Sequence, residues 1–437
     1  MSDINTVLLC LSAVLSSANL RHLQLISYAL LAMNGRVTML GISRWTKKGG
    51  SYRTIQRFFN QTFSWCRLNG YLLAGCLSDD DAILIAGDET TITKSGKRTY
   101  GLGRYFSSIF NRAVPGLSFF TLSLVSVKRR QAFPIIIEQV TQEEEEQPLT
   151  KTASPKKKKK AGRPKGSRNQ TQSTPELSPR LLWIQALLRN LLLLIGTRFK
   201  PVYFVYDSAL GNNNCAAMLK PLELHLISKL RHDAALWFPY EGEYSGRGAP
   251  RKYGEKVNYA DIPDHYLKYS EVTGGILTDI YRIKARHKRF AQPLNVVIIR
   301  KTNLKTGKTA QVILFSTDLE LAWDKLIDYY RLRFQIEFNF RDAKQYWGLE
   351  DFMNVGQTQI YNAANLSMFM VNLSYVLRQW TPFLQMSVLD LKAWFKADKY
   401  VREVLKSLPQ SADLNFIDRI LPNIAQFGRV NAPVEVG

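Results

Sequence analysis

No run of about 18 or more apolar residues occurs anywhere in the 437-residue sequence, so no stretch is built to cross a membrane as a helix. The richest apolar runs, near Val7–Val14 and Leu191–Ile195, are short and broken by polar residues. The N-terminus, MSDINTVLLC, lacks the basic flank and small-residue cleavage site of a secretory signal. Cysteine is scarce: Cys10, Cys66, Cys76 and Cys215 are scattered without a CxxC pair, which excludes a zinc ribbon or disulfide framework and fits a reducing cytosol. The five histidines do not cluster at metal-ligand spacing. The glycine-rich pieces, Gly101–Gly103 and Gly49–Arg53, lack the GxxxxGK[ST] phosphate loop, so nucleotide hydrolysis is not expected. No internal repeat is visible.

Acidic charge is also in short supply. There are 59 Lys and Arg against 36 Asp and Glu, a formal net charge of +23. Hydrophobic residues make up 46%, ample for a packed core, so a wholly disordered basic chain is excluded. Residues 143–168 hold four glutamates and nine basic residues, so removing their +5 leaves +18 spread through the rest. Such a surplus points to a polyanion, because displaced counterions make Lys and Arg contacts with phosphates favourable.

The periodicity divides the chain. Residues 1–75 read as helical, with Leu8, Leu11, Val14 and Leu15 at helical spacing. Ser51 is a plausible N-cap for a helix through about Phe59, showing Arg53, Gln56 and Arg57 on one side and Ile55, Phe58 and Phe59 on the other; a helix-turn-helix-like DNA module is expected there, with a helical lid on the core bearing solvated arginines as the alternative. From Ala82 the pattern turns to strands. DAILIAGDET is an apolar run ending in Asp88, and PVYFVYD is a second ending in Asp207. Segment 141–180 has almost no apolar residues and reads as a disordered basic linker; its GRPKG, around Arg163, resembles the minor-groove AT-hook pattern. Residues 241–318 form a basic β-rich insertion, in which Arg282, Lys284, Arg286 and Lys288 alternate with Tyr281, Ile283, Ala285 and His287 and so share one strand face for phosphates. Leu319 to about Gly348 reads as one long helix, followed by packing helices in 351–437.

Three acids stand out: Asp88 and Asp207 at the ends of apolar strands, and Glu337 in the long helix. In this element order the two strand ends can lie side by side with the helix crossing them, and three carboxylates could converge on hard divalent cations. On the helix, Tyr330, Arg333, Glu337 and Lys344 fall within an arc of roughly 60° at about 100° per residue. Burying such a stripe without partners is costly, and metal ions with DNA phosphates would supply one for each member. An exposed face on which Arg333 and Glu337 merely pair is the simpler alternative.

Tyr330, Arg333, Glu337 and Lys344 reproduce the Y-x2-R-x3-E-x6-K signature, and the chain resembles the DDE transposases of bacterial insertion sequences, in the insertion-sequence-four-like group. GDET around Asp88 and VYDSALG around Asp207 look like the first and second acid motifs of that family. The resemblance implies an α/β, RNase H-like catalytic domain assembled from 76–140, 181–240 and 319–350, flanked by helical N- and C-terminal regions. It implies that Asp88, Asp207 and Glu337 hold two Mg²⁺ or Mn²⁺ ions while Tyr330, Arg333 and Lys344 contact DNA near the scissile phosphate. The implied function is cut-and-paste transposition by a homodimer on double-stranded DNA, acting on element terminal repeats and target DNA in the bacterial nucleoid. A non-catalytic DNA-binding regulator, and an RNase H-like nuclease that never joins strands, remain open beside it.

Overall fold

The computed structural model describes residues 2–46, 49–107, 111–141, 176–196, 198–244, 246, 248–405, 418–419 and 421–422. Arg163 and most of the basic segment expected over 141–180 lie outside them.

The first apolar run forms the central strand, β1 (Ile83–Thr93), buried from Ile83 through Gly87. On one side β1 pairs antiparallel with the long β3 (Arg112–Ser126), from Ile83 opposite Ser126 to Thr93 opposite Gly116. The outer edge of β3 carries β2 (Gly103–Ser107) and β4 (Gln131–Val140). On its other side β1 pairs parallel with β5 (Tyr203–Val205), which pairs parallel with β6 (His225–Leu230). Parallel neighbours need crossovers. A helix, α6 (Pro179–Ile195), intervenes between β4 and β5, and α7 (Asn213–Leu219) between β5 and β6. Ser178 caps α6 by accepting from Leu181 N, with Pro179 in the first turn, where its missing N–H costs nothing. The strand order β4-β3-β1-β5-β6 is consistent with the expected RNase H-like domain.

The strands of the β-rich segment join this sheet. After a small hairpin-like pair, β7 (Trp237–Pro239) and β8 (Tyr253–Lys256), come β9 (Leu267–Thr273), β10 (Ile276–Ala285), β11 (Leu294–Asn303) and β12 (Thr309–Ser316). β12 hydrogen-bonds to β6, so β9–β12 extend the main sheet to ten strands.

Helices come before and after the sheet in sequence. The first five are α1 (Ser2–Leu8), α2 (Ser17–Ala32), α3 (Met39–Thr46), α4 (Tyr52–Phe59) and α5 (Trp65–Leu73). As expected, Ser51 caps α4, and Ile55, Phe58 and Phe59 are buried while Arg53 and Arg57 face solvent. α3 and α4 pack together across a turn where Gly49 adopts φ +86°, a conformation that favours glycine. After the sheet come α8 (Trp323–Leu332), α9 (Gln335–Tyr346), α10 (Gln357–Leu377) and α11 (Val388–Leu405). α11 packs on α2, and α10 packs on β4 and α5.

The expected single helix from Leu319 to Gly348 is two helices, α8 and α9, joined at Arg333 and Phe334. Backbone bonds at the joint run i to i−3: Phe334 N to Arg331 O at 3.1 Å, Ile336 N to Arg333 O at 3.1 Å and Glu337 N to Phe334 O at 3.0 Å. That tighter winding rotates α9 relative to the ideal 3.6-residue helix, so Tyr330 and Glu337 do not belong to one straight stripe.

β4 has a free edge beyond β3, and side-chain amides satisfy it. Asn339 donates to Ala132 O (3.0 Å), Asn372 to Pro134 O (2.7 Å), Asn69 to Ile135 O (3.3 Å) and Asn365 to Ile137 O (3.1 Å). All four asparagines are buried. They come from α5, α9 and α10, so this seam couples the helices to the sheet and satisfies four edge carbonyls, while the Asn372 amide oxygen itself lacks a partner among the described residues.

Candidate active site

Asp88 lies in the middle of β1, not at a strand end. Continuous burial ends at Asp88 and alternates beyond it, with Thr90 and Ile92 buried; Glu89–Thr93 continue the strand and its pairing with β3. Continuing the parallel register, in which Ile85 faces Phe204 and Ala86 faces Val205, brings Asp88 level with Asp207, two residues past the end of β5. Gly87 keeps this junction tight, since a Cβ there would lie 2.9 Å from the Tyr206 ring.

Backbone groups orient both aspartates. Asp88 Oδ1 accepts from Glu89 N at 2.9 Å. Asp207 Oδ1 accepts from Ala209 N at 2.9 Å, capping a short 3₁₀ turn, and its main-chain oxygen accepts from the Ser228 hydroxyl at 2.7 Å. Each carboxylate therefore has one oxygen tied to the frame.

The α8–α9 joint delivers Arg333 to this place. Its Nη1 donates to Asp88 Oδ2 at 2.8 Å and its Nη2 to Glu337 Oε1 at 3.3 Å, with the guanidinium side chain 13% exposed. Burial is the main reason the Asp88 carboxyl is pushed up to about 6; Arg333 opposes the shift, and the charges of Asp207 and Glu337 add to it. Tyr330 lies beside Arg333, its ring centroid 5.9 Å from the guanidinium carbon, and burial raises its hydroxyl above the ordinary value, with the charges of Asp207 and Asp88 adding to the rise. Asp88, Asp207, Glu337, Tyr330 and Arg333 thus share one electrostatic neighbourhood. Lys344 stands apart from it: its Nζ donates to Thr91 O at 3.1 Å and lies 3.4 Å from Glu350, three residues further along β1.

Sequence reasoning passed over Arg180 and Glu89, which lie on the other face of β1, since successive strand side chains point to opposite faces. They form an ion pair, and the Arg180 guanidinium lies 4.4 Å from the Trp183 ring centroid and 5.3 Å from that of Phe120. Glu89 follows Asp88 directly, which is a usable signal. Arg180 has none, because only the fold brings the start of α6 to β1.

The four cations expected on one strand face divide instead. β10 ends at Ala285, so Arg286 and Lys288 lie beyond it. Arg282 spends its guanidinium within the protein, on Asn295 Oδ1 (3.2 Å) and Leu319 O (2.9 Å). Lys284 is exposed and paired with Glu320 at 2.8 Å. Arg286 makes a backbone bridge with Trp237, and Lys288 lies 4.7 Å over the Trp237 ring.

Among the described residues no group of three His, Cys, Asp or Glu side chains stands ready to hold a metal ion. The donor chemistry nonetheless fits a hard divalent cation. Three carboxylates offer oxygen only, and they repel one another across a half-buried space where one guanidinium is the shared counter-charge.

A central strand bearing a half-buried aspartate, a second aspartate just past the adjoining parallel strand and a glutamate brought in by a later helix make a carboxylate cluster at one place on an α/β sheet. The family model for the DDE superfamily endonuclease matches residues 10–288, well over half of the chain, and the chain belongs to that family, a DDE-type, transposase-like class of nuclease. The matched region contains Asp88 and Asp207 and stops before Glu337. No curated protein matches the chain.

Proposed function

We propose that the chain is a DNA transposase of the YREK-bearing, insertion-sequence-four-like kind, which cleaves double-stranded DNA at the ends of a mobile element and joins the freed ends to target DNA. The observation that carries this reading is Arg333 bridging Asp88 and Glu337 in a half-buried space that Asp207 also faces. Asp88, Asp207 and Glu337 would hold two Mg²⁺ or Mn²⁺ ions, which supply activation of the attacking oxygen and charge neutralisation at the scissile phosphate.

The chain's own residues then have distinct tasks. The frame contacts of Asp88 and Asp207 fix one oxygen of each carboxylate and leave the other to ligate. Arg333 exchanges its carboxylate partners for phosphate oxygens, as a planar fork, when DNA arrives. Tyr330, kept neutral by burial, positions phosphate by hydrogen bonding and forms no covalent bond. Lys344 adds a point charge further along β1. In the first step water attacks phosphorus, the bond to the leaving 3′-oxygen breaks and a 3′-hydroxyl is released. In the second, that hydroxyl attacks a target phosphodiester and expels a new 3′-oxygen. A homodimer would hold both element ends, α4 with Arg53 and Arg57 would dock on duplex DNA, and Arg163 of the basic linker would enter a minor groove. The domain plan given by the sequence, with a catalytic domain split by the linker and the β-rich segment, belongs to the same proposal.

The test is incubation of the purified chain with Mg²⁺ and a labelled duplex spanning an end of its own element. Nicking at the end and transfer into plasmid DNA are expected, and Asp88→Ala and Glu337→Gln should abolish both. Binding without cleavage would favour a regulator, cleavage without joining a simple nuclease, and persistent nicking by either variant would remove the metal-ligand assignment.

A further inference from the structure

A cleft of about 810 Å³ opens beyond the end of β1, between the Thr93–Thr99 turn and the Glu350–Val355 segment that follows α9. The two walls are fastened together. Lys94 Nζ donates to Glu350 O (2.8 Å) and Phe352 O (2.6 Å), and Tyr100 N donates to Val355 O (2.9 Å). Lys94 is therefore a structural rivet. Burial lowers its ammonium to about 8, still mostly charged at neutral pH.

The cleft's remaining charge is asymmetric. Its two acids are engaged: Glu350 faces Lys344 at 3.4 Å, and Asp351 Oδ2 accepts from Val37 N at 3.0 Å. Its other cations, Arg36, Lys97 and Arg98, are exposed, and among the described residues none has a side-chain hydrogen bond or ion pair. Met353 (68% exposed) and Val355 (50%) stand beside them as apolar surface in a polar cleft. Unspent cations flanked by exposed apolar side chains suit a phosphodiester backbone with its sugars.

Position gives the cleft its meaning. Lys94 is six residues along β1 from Asp88, about 20 Å at roughly 3.3 Å per residue. Lys344 lies between, on Thr91. A DNA strand rising about 3.4 Å per nucleotide would therefore reach the cleft about six nucleotides from a phosphate held at Asp88.

We propose that this cleft is a second DNA-binding surface, which grips the backbone about six nucleotides from the scissile phosphate through Arg36, Lys97 and Arg98. The proposal rests on the transposase reading for its ligand. It differs from that reading in what it fixes: the direction in which DNA leaves the carboxylates, past Lys344 and along β1.

Two measurements test it on the full-length chain. The first is the salt dependence of binding to a labelled duplex, for wild type and for the Arg36→Ala, Lys97→Ala, Arg98→Ala triple variant. Losing three phosphate contacts should reduce the slope of log affinity against log salt by about 2.7. The second places a photo-crosslinking benzoylphenylalanine at Met353 and maps adducts on a duplex nicked by the enzyme. Adducts should cluster within about four to eight nucleotides of the nick, a window set by the strand spacings above. If wild type binds and nicks DNA while the triple variant keeps its slope, or adducts fall elsewhere, the cleft assignment fails and the transposase reading stands. If wild type neither binds nor nicks duplex DNA, both fall.

Discussion

Two half-buried Asp–Arg–Tyr groups sit in the same sheet, and they differ in their charge balance. On β10 and β11, Arg300 pairs with Asp279 at 3.1 Å and donates to the Tyr281 hydroxyl at 2.7 Å. Its other amino group donates to Tyr259 O and Ala260 O, and Asp279 also accepts from Ser270 at 2.7 Å. One cation meets one carboxylate there. At β1, Arg333 pairs with Asp88 beside Tyr330, but Glu337 and Asp207 share the same cation. In the first group the charges balance one to one inside the protein, although the Arg300 Nε lacks a hydrogen-bond partner among the described residues. The second is left with surplus negative charge, which makes it a receptor for a cation where the other is a fastening.

The comparison breaks most sharply under substitution of the two aspartates. Asp279→Ala removes the buried carboxylate that answers the half-buried Arg300 and should cost about 3 kcal/mol of stability, the low end for breaking a buried pair, read by chemical denaturation. Asp88→Asn removes one of three crowded carboxylates. It should leave metal-free stability at neutral pH unchanged or improved while nicking falls to background. A large stability loss in Asp88→Asn would mean that the β1 group is a structural pair like the other.

A pH series sharpens the same contrast. The folded Asp88 carboxyl is raised from 3.8 to about 6, so the folded state holds its proton more tightly than the unfolded chain does. The stability this contributes is present below about pH 4 and is lost as pH rises through about 6. Without metal, the melting temperature of wild type should therefore fall relative to Asp88→Asn between about pH 4 and 6.5. Added Mg²⁺ should restore it above pH 6, where the carboxylate is free to ligate. Equal profiles for the two proteins would show that Asp88 carries no such strain.

Much of this was legible in the sequence, and the failures have physical causes. The Ser51 cap and the buried face of α4 could be read because each depends on near neighbours. The place of Asp88 within β1 could not, because the strand continues through the mostly polar Glu89–Thr93, which pair with β3 and bury Thr90 and Ile92 only in the folded sheet. The joint at Arg333 was hidden too: nothing in RLRFQIEF is a helix breaker, and the i to i−3 winding goes with Arg333 reaching across to Asp88. The amide seam on β4 is a fact of tertiary contact, since Asn69, Asn339 and the pair Asn365 and Asn372 on α10 come from three separate helices and meet only on one strand edge. Asn372→Ala should cost about 1–3 kcal/mol by orphaning the Pro134 carbonyl, a middling effect that denaturant unfolding would detect.

The smallest expected effect separates two cations that the alternation of β10 made look equivalent. Arg282 is committed to Asn295 and Leu319, so Arg282→Ala should lower stability and leave the salt slope of DNA binding unchanged. Lys284 is exposed and tied only to an exposed Glu320, a pair worth at most about 1 kcal/mol. If the β10 face touches phosphate, Lys284→Ala should leave stability alone and reduce the slope by about 0.9, the value of a single contact. The reverse pattern would mean that the free lysine is mere solubility and that the buried arginine is released when DNA binds. The test turns on whether a cation already satisfied by its own chain can also serve a ligand. The same condition applies to Arg333, whose two carboxylate partners must let go before it can hold a phosphate.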